Sequence, residues 1–349
     1  MRCGSARSRF CRRSSCRSTQ VSSGAAVVRG SGSADRIRIG LIGGGGISAT
    51  HARAARAIPG VEIVGVHGGN PQKVAALARE LGAPAFDTLD AFLSAPMDLV
   101  AIGSPSGLHA DQAIAAVRRG IHVLVEKPVD VTTPKIDALI SEADRADRKV
   151  GVFFQERMAP ESAALKKKID DGILGTPLFI SGRMDWYRPP EYYSRSRWRG
   201  TSALDGGGAL MNQGIHTVDL MLWLFGDATR VAGRTATRLH AIDVEDTAAA
   251  LIEFASGAFG TLHATTAAEP GFPRRILVTG TKGSVEHEEP ARPAAVADAT
   301  PHQRVIEDFI RAIETDGTPV CDAREGRRSV ALIEAIYRSA ASGRIVNIE

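Results

Sequence analysis

Cysteine, aromatic residues and long apolar runs are all scarce in this 349-residue chain. Three of the four cysteines (Cys3, Cys11, Cys16) fall within residues 1–34, which leaves Cys321 alone in the remainder. One thiol cannot close an intramolecular disulfide, so a reducing, cytoplasmic setting is expected. The spacing of the other three matches no metal-ligand pattern, and no metal is expected. The longest apolar segment, 220–225, falls far short of the roughly 20 residues that span a bilayer, which argues against membrane insertion.

Acid is missing from one stretch altogether. Residues 1–34 hold seven arginines and no Asp or Glu. Taking those seven from the net charge of +4 leaves the remainder at −3, without the basic surface that nucleic acid would demand. This Ser/Arg/Gly-rich stretch is expected to be a disordered leader. Its composition is that of a transit peptide, and Arg12-Arg13 suggests a twin-arginine signal, but 14–26 is too polar for an apolar signal core.

Beyond the leader, short apolar runs alternate with helical stretches. Strands are expected at 37–42, 61–66, 98–102, 122–125 and 150–154, with helices near 47–57, 71–81, 107–119 and 134–147. Such alternation implies a doubly wound parallel sheet of the Rossmann kind over residues 35–155. Residues 156–349 then read as an α+β domain. After a helix at 159–170, longer strand-like runs at 178–186, 229–239, 246–254, 258–266 and 274–279 imply a large open, mainly antiparallel sheet. A loop is expected at 288–300 and helices at 301–315 and 323–342, the last of which is free to return to the first domain. In 247–254 both alternating sets of residues are small or apolar, so the sheet needs cover on both faces. Helices on one side and a second subunit on the other would supply it, as a homodimer or homotetramer.

The first strand runs into Gly43-Gly44-Gly45-Gly46-Ile47-Ser48, a glycine-rich turn that opens a helix. Gly43 permits the tight turn, Gly45 and Gly46 let a pyrophosphate approach the N–H groups that begin with Ile47, and Ser48 fills the packing position. The second strand ends near Gly69, Asn70 and Lys73 with no acid to bind a ribose 2′-hydroxyl. Lys73 suits a 2′-phosphate, which favours NADP over NAD. Ser104, Pro105 and His109 follow the strand at 98–102, and Glu126-Lys127-Pro128 follows the one at 122–125. Both loops fall where a doubly wound sheet binds its ligand.

The second half carries Gly206-Gly207-Gly208-Ala209-Leu210-Met211-Asn212-Gln213-Gly214-Ile215-His216. Three consecutive glycines imply a close approach to the backbone, and helical spacing stacks Asn212 on His216. Together these motifs, with Asp219 behind them, resemble the Gfo/Idh/MocA oxidoreductase family over about residues 36–347. The resemblance implies hydride transfer between NAD(P) and a hydroxyl-bearing carbon of a sugar or cyclitol. It also implies a catalytic Lys127, often preceding a cis-proline, and places the family's Asp-x-x-x-His pair on Asn212 and His216. The first member of that pair is here an amide.

Among groups able to handle a proton, His216 titrates nearest neutrality and is the expected base. Lys127 would bind the reacting oxygen and Asn212 would orient His216 or hold a neighbouring hydroxyl, with Tyr187 a third proton-handling candidate and Asp219 a second partner for His216. Aromatics make up only 5% of the chain, so their clustering with arginine over 183–199 is informative. Tyr187, Trp198 and Arg199 there suit the faces and charges of an anionic sugar, such as a uronic acid or nucleotide sugar. Gln155 and Arg157 are further substrate-binding candidates. The rival readings are a glycosidase that oxidises its substrate transiently and a cofactor-sensing regulator without turnover.

Overall fold

The computed structural model describes residues 36–289 and 298–349. The leader and residues 290–297 of the expected loop lie outside them.

Strands β1 (Ile37–Ile42), β2 (Val61–His67), β3 (Ala85–Phe86), β4 (Leu99–Ile102), β5 (His122–Val125) and β6 (Val150–Val152) form one parallel sheet in the order β3-β2-β1-β4-β5-β6. Helices α1 (Gly46–Arg56), α2 (Pro71–Leu81), α3 (Leu89–Leu93), α4 (His109–Val117) and α5 (Thr133–Ala146) connect the strands. The all-apolar β4 and residues Val123, Leu124 and Val125 of β5 are buried because helices cover both faces. The doubly wound sheet expected from the sequence is therefore present. β3 escaped the reading because two residues carry no periodicity.

The second sheet has seven strands: β7 (Pro177–Asp185), β8 (Ala228–Ala236), β9 (Thr247–Phe254), β10 (Phe259–Thr265), β11 (Arg274–Gly280), β12 (Gly283–Glu289) and β13 (Val346–Asn347). Their order is β12-β11-β7-β10-β9-β8-β13, antiparallel throughout except where β7 meets β10. β12 corrects the expected loop, whose first two residues belong to this strand. Its polar, alternately half-exposed sequence hid it.

The helices of this half are α6 (Pro160–Asp170), α7 (Pro190–Ser194), α8 (Ile215–Phe225), α9 (Thr300–Glu314) and α10 (Ala323–Ser342). α8 and α10 cover one face of the second sheet, and α10 also touches α5. α9 instead returns to the nucleotide half, where Val305, Ile306, Phe309 and Ile310 join Ile39 and Leu41 of β1 and Ala52 and Ala55 of α1 in one core. The other face of the second sheet stays open: Leu251 is 47% and Phe259 52% exposed. Among the described residues no helix is long and apolar enough to cross a membrane.

Candidate active site

Where β1 and β4 diverge, Gly43 (φ 122°) turns the chain so tightly that a Cβ would lie 2.3 Å from Ser48 Oγ and 2.7 Å from the Gly103 carbonyl. The two loops thus touch at the switch point of the sheet, where doubly wound folds bind ligands. Gly45 and Gly46 face open space, with nothing within 4 Å of where a Cβ would stand. α1 begins there without a side-chain cap, so its first N–H groups are free of side-chain acceptors. A glycine cradle and an uncapped N-terminus fit a dinucleotide pyrophosphate. Ser48 is fully buried as packing against Gly43. Asn70 accepts from the Lys73 N–H at 3.0 Å and caps α2, with Lys73 exposed.

The loop after β5 is anchored by its own carboxylate. His51 Nε2, on α1, donates to Glu126 Oε1 at 3.0 Å; His302 Nε2, on α9, lies 3.8 Å from the same oxygen. Glu126 Oε2 accepts the Lys127 N–H at 3.2 Å. Burial would raise the Glu126 pKa, but the His51 hydrogen bond and the surrounding positive charge outweigh it and hold the carboxyl below its usual range. One buried carboxylate thereby ties α1, the lysine loop and α9 together. The ligand atoms of the three residues lie within 4.8 Å of one another, close enough to hold a divalent ion as well. His109 is likewise buried, with Nδ1 2.8 Å from the Pro128 carbonyl and Nε2 2.9 Å from that of Ser104, joining the two loops. The Lys127-Pro128 peptide is cis, as the resemblance implied.

The three glycines serve the protein's own packing. A Cβ on Gly207 would lie 2.1 Å from the Tyr337 hydroxyl, and one on Gly208 would lie 2.0 Å from the Glu245 carbonyl. The Glu245 side chain accepts N–H bonds from Gly208 at 3.1 Å and Leu210 at 2.8 Å. The following residues, Ala209–Gly214, form a π-helical turn that passes into α8. The expected four-residue stacking of Asn212 on His216 therefore does not hold in its α-helical form. The Asn212 amide instead donates to Asp205 and accepts from Gln213 Nε2 at 2.9 Å. His216 is buried edge-on to Phe154, ring centroids 5.8 Å apart. Asp219, expected as a second partner of His216, has its own cation. Asp219 pairs with Arg157 Nε at 2.9 Å and Nη2 at 2.7 Å.

A cavity of about 510 Å³ lies between the glycine cradle and the π turn. Gly46 and Ile47 border it, with Ser104, His109, Glu126 and Lys127 from the loops of the first sheet. Gln155, Trp198, Arg199, Asn212 and His216 complete the set of expected residues that it brings together. Gly43, Gly45, Ser48, Gly69, Asn70, Lys73 and Pro105 do not line it; several of them support the turns around it. Two substrate-binding expectations are corrected. Arg157 turns away into the buried pair with Asp219, because the 3-10 turn after β6 swings it inward. Tyr187 points elsewhere, because side chains alternate along the extended chain and its neighbours Trp186 and Arg188 face the cavity.

Trp186, Arg188 and Tyr192 also line the cavity; they belong to the arginine–aromatic segment expected to meet a sugar but were not named individually, while Gln213 and, on α1, Thr50 and Arg53 were missed. The Arg188 guanidinium lies over Trp186 (5.2 Å) and Tyr192 (5.4 Å), and that of Arg199 over Tyr192 (4.2 Å) and Trp198 (5.4 Å). Gln155 Oε1 and Trp186 Nε1 are buried without a hydrogen-bond partner among the described residues.

Two family models account for most of the described chain. Residues 37–154 match the oxidoreductase family with an NAD-binding Rossmann fold, and residues 162–286 match the GFO/IDH/MocA C-terminal domain. The chain belongs to the Gfo/Idh/MocA family. Members similar to it include the inositol 2-dehydrogenase of Rhizobium meliloti (strain 1021), 28% identical over 341 residues that cover 89% of this chain and 99% of the relative. The 1,5-anhydro-D-fructose reductase of Ensifer adhaerens is 28% identical over 335 residues, 89% of this chain and 98% of the relative. Among solved structures, the WlbA dehydrogenase of Bordetella pertussis in complex with NADH and UDP-GlcNAcA has a TM-score of 0.84 at 32% identity, covering 90% of this chain and 98% of that one. Like other Gfo/Idh/MocA dehydrogenases, this chain is an NAD(P)-dependent oxidoreductase acting on hydroxyl-bearing carbons.

Proposed function

We propose that this enzyme interconverts an alcohol and a ketone on an anionic sugar, a uronic acid or nucleotide sugar being the best fit, with His216 as the base and Lys127 on the reacting oxygen. The observation that carries the reading is the cavity itself, which joins the uncapped start of α1 to Lys127, His216 and the arginine–aromatic wall. The dinucleotide, held over Gly45 and Gly46, would supply the nicotinamide that exchanges a hydride with the carbon. Lys127 donates a hydrogen bond to the alcohol oxygen and stabilises the negative charge that develops as the O–H bond weakens. His216 takes the proton. Arg188 and Arg199 supply two guanidinium groups for a carboxylate or phosphate, and the unpartnered Gln155 Oε1 and Trp186 Nε1 offer an acceptor and a donor for sugar hydroxyls. UDP-GlcNAcA, bound to the similar WlbA dehydrogenase, is a ligand of this chemical kind.

The test is a screen of neutral sugars, inositols, uronic acids and nucleotide sugars with NAD and NADP, followed by absorbance of the reduced nicotinamide. Turnover confined to neutral polyols would overturn the anionic-substrate assignment.

With no acid between His67 and Lys73, nothing repels a 2′-phosphate, and NADP is the favoured dinucleotide. Lys73→Ala is expected to weaken NADP about fivefold and leave NAD unchanged, as an exposed ion pair would. A fluorescence titration with both dinucleotides reads this directly, and equal losses for the two would refute it. The open face of the second sheet suits a second copy of the chain, and the reducing cytoplasm suits Cys321, the one cysteine among the described residues, which is buried. Light scattering at micromolar concentration is expected to give a dimer or tetramer; a monomer would leave that face without its proposed cover.

A further inference from the structure

Lys127 needs its positive charge to bind a developing alkoxide, yet it stands where charge is disfavoured. Protein encloses its ammonium and lowers its pKa, and Arg199 and Arg188 push in the same direction. Glu126 and Asp205 oppose them. Glu126 is already held by His51 and by the Lys127 N–H, which leaves Asp205, buried immediately ahead of the glycine run.

The contacts of Asp205 are ordered. Oδ2 accepts the Gly200 N–H at 2.8 Å, and Oδ1 accepts the Asn212 amide. The orientation of that amide is fixed from its far side, because Asn212 Oδ1 accepts from Gln213 Nε2 while Gln213 Oε1 accepts from Arg188 at 2.9 Å. The backbone carbonyl of the same Asn212 accepts from Lys127 Nζ at 2.7 Å. Asp205 therefore grips the residue that grips the lysine. Resting on the reading of Lys127 and His216 given above, we propose that Asp205 is a positioning residue. Through Asn212 it seats the carbonyl on the Lys127 ammonium, and by its own negative charge it keeps that ammonium protonated.

Burial pushes the Asp205 carboxyl up to about 6, against the Gly200 and Asn212 hydrogen bonds and the charges of Lys127 and Arg199, which lower it. The phenols of Tyr192, Tyr193 and Tyr337 also face it and stay neutral in this range. Above that range Asp205 is charged and supports the Lys127 ammonium, so activity should fall with rising pH through a basic limb that belongs to Lys127.

Three variants test the proposal: Asp205→Asn, Asn212→Asp, and the double exchange Asp205→Asn with Asn212→Asp, which keeps one carboxylate and one amide. Competitive acetylation with acetic anhydride, read by mass spectrometry, gives the titration midpoint of Lys127 without any substrate. Asp205→Asn is expected to lower that midpoint by about one unit, as loss of a nearby opposite charge does, and the double exchange to restore it. In turnover, Asp205→Asn should move the basic limb down by about the same one unit, and the double exchange should restore it together with activity. Asn212→Asp alone should raise both the Lys127 midpoint and the basic limb, which keeps the proposal testable if Asp205→Asn does not fold. An unmoved Lys127 midpoint, or a loss of activity equal at every pH with the basic limb in place, would overturn the proposal. A shifted midpoint without alcohol oxidation by the wild type would instead sink the reaction reading and leave this inference standing.

Discussion

His216→Ala is expected to lower kcat by about 10²- to 10⁴-fold, the range typical of removing a general base. Binding of the dinucleotide should barely change, because the glycine cradle and the start of α1, proposed above to hold its phosphates, are built without His216. Lys127→Ala should lose activity on a similar scale. The double variant should be little worse than either single one, since the proposed mechanism has both groups act on one oxygen and such effects do not add. Lys127→Arg is not a conservative rescue: the guanidinium is larger and planar, and the seat on the Asn212 carbonyl is shaped for a single ammonium. Steady-state kinetics on the identified substrate, with dinucleotide affinity measured separately, decides the matter. Wild-type kcat in His216→Ala would rule out its role as base.

The second large effect is on the fold. Arg157 donates to both oxygens of Asp219 and, through Nη1, to Glu325 Oε2 at 3.0 Å and the Val320 carbonyl at 3.3 Å. The side chains of Arg157 and Asp219 are 1% and 0% exposed. Arg157→Met would strand a carboxylate in the interior, which costs about 3–5 kcal/mol and should lower Tm by roughly 5–8 °C. Replacing Asp219 by Leu in the same variant removes the stranded charge and should recover most of the loss. Thermal melts of the single and double variants separate the two cases. A single variant as stable as the wild type would mean that water or a neighbouring cation reaches Asp219.

Arg157 also marks a limit of reading from sequence. Its position after the sixth strand placed it correctly at the ligand end of the sheet, but one 3-10 turn decides whether the side chain enters the cavity or the core. Tyr187 failed for a related reason: the loop was located correctly and the alternation phase was not. By contrast, the glycine cradle, Lys127 and His216 were legible because their backbone demands leave fixed spacings in the chain. Asp205 left no such mark. It lies seven residues from Asn212 across an irregular loop, and only folding makes it the partner of that amide. The two-sided apolar character of β9 was visible at once, since strand alternation needs no knowledge of turns.

The π turn at Ala209–Gly214 has a genetic consequence. A π turn holds one residue more than the α turn it replaces. Loss of a single codon within it would let the helix run on regularly, with no unusual backbone left to tolerate. The residue removed is the extra one, so those that follow would keep nearly the direction they now have relative to the glycines, and His216 would stay on the cavity wall. A deletion in the regular stretch of α8 has no spare residue to remove and would rotate everything after it by about 100°. The π turn is thus where this helix can shed a codon and keep its register.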